Sequence, residues 1–206
     1  MGRPRTYDAD DLVNRAMKIF WQRGYAGTST SDLVEQLGVN KFSLYAEFGS
    51  KQALYEATLA RYDHDIVTSH FGPLERASAG LSEILAVLDF FAQSGRRPGF
   101  DKGCFMCNSA TERGAEDRGT HIAVEGFFGR IRAACVTALR NARASGEVST
   151  GFDIEEEASW ITTTLLGLFV LMRAQADPSL LRETGLAAAR HLNRLRSDLP
   201  PDDAGR

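Results

Sequence analysis

Cys104 and Cys107, in the segment KGCFMCNSATE (Lys102 to Glu112), are the side chains of this sequence best suited to covalent chemistry. A thiol attacks as its thiolate, and both a helix N-terminus and a neighbouring cation favour that form. Cys104 follows Gly103 near the predicted start of a short helix, with Lys102 beside it, and Cys107 lies one turn on, where it can resolve an oxidised Cys104. Two other readings stay open on the residues alone. Buried cysteine is a common small core residue. Cys-x-x-Cys is also half of a zinc site, but no second ligand pair and no His pair at ligand spacing accompanies it, so neither a metal nor a cofactor is expected. With Cys135, the three cysteines do not form the dense framework of a small disulfide-stapled domain.

A second segment, LGVNKFSLYAEF (Leu37 to Phe48), can do recognition rather than catalysis. Helical periodicity predicts a first helix from about Ala9 to Arg23, opened by Asp8 and closed by Gly24. A second helix follows, capped by Ser29 or Thr30, with Leu33, Val34 and Leu37 as its buried stripe and Gly38 as its end. Asn40 caps a third helix, Lys41 to Phe48, and Ser50 caps a fourth, from Lys51 to Phe71. At 100° per residue, Leu44 and Phe48 fall on the inner side of the third helix, while Phe42, Ser43 and Ala46 fall opposite. Tyr45 lies between the faces, where it can pack its ring and offer its hydroxyl to a phosphate. Two helices joined by a three-residue glycine turn, with an outward face of contact-capable side chains, are what a helix-turn-helix requires. An ordinary helical hairpin, with Phe42 covered by a neighbour, fits the periodicity as well.

Residues 8–55 resemble the DNA-binding domain of the TetR family of bacterial transcription regulators. The resemblance is carried by AMKIFWQRGYAGTSTSDLVEQLGVNKFSLYAEFGSKQALYEA, with its Phe-x-x-x-Gly-Tyr, Gly-Val-Asn, Leu-Tyr-x-x-Phe and Ser-Lys-x-x-Leu signatures. It implies that Thr28 and Lys51 hold phosphates from either side and that Tyr45 does so from the recognition helix. Lys41, Phe42, Ser43 and Ala46 would face bases or the groove wall, and Arg3 and Arg5 would enter the minor groove. The family often has histidine where this chain has Ala46 or Glu47. The cysteine segment resembles an element of the TetR subgroup that includes the repressor of N-ethylmaleimide reductase, where a cysteine matching Cys104 senses electrophiles and oxidants.

The rest of the chain reads as a larger helical body. Predicted helices run from about Cys104 to Arg113, Thr120 to Ser145, and Asp153 to Ala176, and a last one carries Leu181, Ala188, His191, Leu192 and Leu195. The stretch from Trp160 to Met172 is apolar around most of its circumference, as a central core helix or a subunit interface would be. The resemblance favours a homodimer through the last two helices, reading a pseudo-palindromic double-stranded operator. Met106, Phe127, Phe128, Trp160 and Phe169 are candidate walls for a non-covalent small-molecule inducer, if an electrophile acting on Cys104 is not the trigger.

The fold class expected is therefore all-α, with a helix-turn-helix domain over residues 1–50, a sensing and dimerisation domain over 51–198, and a disordered tail over 199–206. The expected function is a dimeric transcriptional repressor. The competing enzyme reading is an all-helical Cys-x-x-Cys thiol peroxidase resembling the alkylhydroperoxidase D group. That group has a histidine shortly after the second cysteine, whereas Asn108, Ser109, Ala110 and Thr111 follow here. The net charge of −3 gives no general affinity for nucleic acid, since residues 1–61 carry a balance of only +1. A 43% hydrophobic chain with no apolar start and no run near 20 residues long is expected to be a cytoplasmic globular protein without a membrane partner.

Overall fold

Local capping chemistry sets the helix boundaries. In a computed structural model that describes residues 7–97 and 99–197, the Asp8 carboxylate accepts from the Asp10 amide and opens α1 (Ala9–Arg23). Ser29 and Asp32 form a reciprocal capping box at the start of α2 (Thr30–Leu37), which ends on Gly38 in the left-handed conformation (φ 68°). Asn40 accepts from the Ser43 amide at 2.7 Å to open α3 (Lys41–Phe48), and Ser50 does the same for α4 (Lys51–Tyr62). The fourth predicted helix is not regular to its end. A π-helical segment, Asp63–Val67, interrupts it before α5 (Thr68–Phe71). Later come α6 (Leu81–Ala92), α7 (Phe105–Arg113), α8 (Arg118–Ala144), α9 (Ile154–Arg173) and α10 (Pro178–Asn193). Among the described residues there is no strand, only an isolated antiparallel bridge between Val148 and Arg196. None of the described helices is long and apolar enough to cross a membrane.

The chain divides into two compact units, one of residues 1–69 with 102–127 and the other of residues 70–101 with 128–206. The first holds α1 to α4 and α7. Its centre is aromatic: Tyr55, fully buried, meets Phe20, Tyr25 and Phe105 edge-on at 5.0, 5.0 and 5.6 Å. Tyr62 meets Trp21 and Phe105 in the same way. Such edge-to-face packing adds about 0.5–1.5 kcal/mol per pair beyond burial. In the second unit α6, α9 and α10 pack together, closely enough at Gly185 that a Cβ there would lie 2.3 Å from the Ala92 Cβ. Phe71, Phe91 and Phe169 form its aromatic core.

Candidate nucleic-acid interface and thiol centre

Leu33, Leu37 and Leu44, each nearly inaccessible, lock α2 against α3 and fix which side of α3 faces out. On that outer side Phe42 is 84% exposed, and Lys41 and Ala46 are exposed beside it. Ser43 is half-buried, and its carbonyl accepts from the Tyr7 hydroxyl at 3.3 Å. Two expectations need correction. Phe48 and Val34 are only partly buried, because the short α2 and α3 bury little beyond their leucines.

The expected phosphate-binding groups are placed unevenly. Thr28 is completely buried and its hydroxyl donates to the Gly24 carbonyl at 2.7 Å, so that hydroxyl faces no duplex. Thr30 lies instead at the first position of α2, its hydroxyl 2.8 Å from that of Tyr45. This pair was missed in the sequence, although the Ser29-x-x-Asp32 spacing, by making Ser29 the cap, leaves Thr30 free for it. Lys51 donates to the Tyr25 carbonyl at 2.7 Å and stands 4.0 Å over the Tyr25 ring. Burial and the nearby Arg113 charge hold its pKa below that of an ordinary lysine. Arg3 and Arg5 lie outside the described residues, as does the predicted tail.

Cys104 is the N-cap of α7 and, like Cys107, is buried. Burial pushes the Cys104 thiol up, but hydrogen bonds from the Cys107 thiol and amide, the Tyr62 hydroxyl and the Met106 amide outweigh it, so its pKa is lowered. Cys107, bonded to Cys104 and buried, is pushed up. The two thiols are thus directed oppositely within one hydrogen-bonded pair, which titrates as a unit. Cys135, in the second unit, is pushed up to about 12 by burial. No group of three or more His, Cys, Asp or Glu among the described residues can hold a metal ion.

The proposed inducer walls fall in both units. Met106 and Phe127 are buried in the first unit, whereas Phe128, Trp160 and Phe169 belong to the second. Trp160 is 38% exposed and its ring lies tilted at 46° against that of His191, with centroids 4.4 Å apart, and His191 bonds Glu157 at 2.7 Å. None of the five lines the groove that runs between α6 and α10 past Asp89, Ala92, Arg182 and Gly185.

Residues 12–58 match the family profile described as bacterial regulatory proteins, tetR family, and residues 80–192 match the tetracyclin repressor-like C-terminal domain. The chain belongs to the TetR family. The HTH-type transcriptional repressor ComR of Escherichia coli (strain K12) is 30% identical over 85% of this chain and 84% of its own. A cysteine variant of the TetR-family regulator CifR, complexed with 26-bp double-strand operator DNA, superposes with a TM-score of 0.81 at 29% identity, covering 91% of this chain and 98% of that one. The reduced form of Escherichia coli NemR shares the fold, with a TM-score of 0.77 at 20% identity, covering 93% of this chain and 98% of that one. As a TetR-family member this is a DNA-binding transcriptional repressor, with operator DNA and a second copy of itself as partners.

Proposed function

We propose that Lys41, Phe42, Ser43 and Ala46 read bases in the major groove while Thr30, Tyr45 and Lys51 hold the flanking phosphates, and that Arg3 and Arg5 reach the minor groove. The observation that carries this reading is the open outer face of α3, with Phe42 84% exposed, beside the Thr30–Tyr45 hydroxyl pair. Release is by oxidation at the thiol centre. The Cys104 thiolate attacks a hydroperoxide, forming a sulfenic acid as the O–O bond breaks and hydroxide or alkoxide leaves. The Cys107 thiol then attacks that sulfur, closing a disulfide as water leaves. The hydrogen-bonded thiol pair and its place at the start of α7 support this route over a non-covalent inducer. The protein works in the cytoplasm and turns over no substrate, its thiols serving as a switch rather than a peroxidase centre.

The test is footprinting of the full chain on its own upstream DNA, with and without hydrogen peroxide. The expected result is protection of two half-sites about 34 Å apart or a multiple of that, lost on oxidation. A Cys104→Ser protein that still lets go when oxidised would remove the thiol trigger. Catalytic peroxide consumption would favour the enzyme reading.

A further inference from the structure

The helix that begins at the thiol centre ends on the peptide backbone of the reader. At the far end of α7 the Glu112 carboxylate accepts from the Tyr25 amide at 3.0 Å and from the Ala26 amide at 2.8 Å, in the turn between α1 and α2. The notch is shaped for it: Gly24 has φ 77°, and a Cβ there would come within 2.8 Å of both Glu112 oxygens. Beside it the Arg113 guanidinium lies 4.1 Å from the Tyr25 ring, on which Lys51 also stands. At its start, α7 is tied to α1 through the Gly103 carbonyl, which accepts from the Trp21 indole at 3.1 Å. Midway, the Tyr55 hydroxyl donates to Ser109 at 2.7 Å. One short helix therefore touches both the thiols and the turn that leads into the helix-turn-helix.

We infer that Glu112 is the coupling residue of this repressor: a disturbance at the Cys104 end of α7 withdraws its carboxylate from the Tyr25 and Ala26 amides, freeing the α1–α2 turn and the Lys51 that Tyr25 anchors. The inference rests on the DNA-binding reading but does not require the peroxide chemistry. A charged acceptor on two amides is among the stronger hydrogen-bonding arrangements, and moving one end of a rigid nine-residue helix moves the other. A coupling element must have two arrangements that both sites bias; here these are the carboxylate seated on the amides and the carboxylate withdrawn.

The test is a double-mutant cycle on the full chain, with Cys104→Phe as a permanent mimic of a bulky adduct and Glu112→Ala as the cut. The first readout is amide hydrogen exchange at Tyr25 and Ala26, which needs no DNA. Cys104→Phe should speed exchange there about tenfold in the Glu112 protein and add nothing once Glu112 is Ala. The second is affinity for a duplex selected by the wild-type protein from a random-sequence pool. Cys104→Phe should weaken binding about tenfold with Glu112 present and within about twofold without it. If Cys104→Phe does not fold, Cys104→Met gives a smaller displacement read in the same way. Unchanged exchange at the two amides, or equal weakening in both backgrounds, overturns the coupling role. If the cycle is non-additive while peroxide leaves wild-type binding untouched, the oxidation trigger fails and the coupling stands.

Discussion

Thr30 and Tyr45 are side chains whose value shows only in three dimensions, because 15 residues separate two hydroxyls that stand 2.8 Å apart. Each hydroxyl is worth about 1 kcal/mol, so Thr30→Ala or Tyr45→Phe should weaken binding roughly fivefold on every duplex alike. Phe42→Ala should leave thermal stability within about 0.5 kcal/mol of wild type, since the ring is 84% exposed, yet change base preference in a selection experiment. Thr28 shows what sequence comparison blurs. The residue type suited a phosphate contact, but its hydroxyl turned back on the Gly24 carbonyl, a local choice that spacing does not reveal. Among the thiols, Cys104 should be alkylated with a pH midpoint below that of an ordinary cysteine, whereas native Cys135 should stay inert through pH 10. Cys135 and Tyr55, both pushed up to about 12, remain protonated in the fold where the unfolded groups ionise. Their contribution to stability is therefore intact below about pH 9 and is lost as pH rises from the unfolded values to about 12, which alkaline unfolding curves would show.

Among the elements, the helices with strong local signals were the legible ones. Asp8, Ser29, Asn40, Ser50, Asp153 and Asp177 all cap helices, and Gly24, Gly38 and Gly49 end them, because these choices depend on only a few neighbouring residues. Asn40→Ala should cost about 1 kcal/mol by urea unfolding, and Leu44→Ala, at a side chain 1% exposed, about 2–5 kcal/mol. The π-helical turn at Asp63–Val67 was not legible, since no glycine or proline marks it and its widened hydrogen bonding answers to packing rather than to local preference. Phe48 was placed too deep for a related reason. A helical wheel supplies a direction but not the thickness of what lies there, and α2 and α3 are each only eight residues long.

For the molecule as a whole, the all-α class followed from periodicity, and the open faces of α9 and α10 point to the second copy. Val170 and Leu186 are 56% and 58% exposed, and Leu180 is 44% exposed, more apolar surface than a lone chain usually leaves on adjacent helices. Val170→Asp should convert the dimer to monomer in sedimentation and weaken operator binding by about tenfold or more, because two half-sites are then no longer held by one particle. What the sequence hid at this scale is the link from Glu112 to residues more than 80 positions earlier, which leaves no motif. The reason carries its own lesson for how such a protein can diversify. A grip on peptide N–H groups is indifferent to what side chain sits at position 26, short of proline. The DNA-reading end can therefore be rewritten for a new operator while its control line, anchored in the main chain, is inherited unaltered.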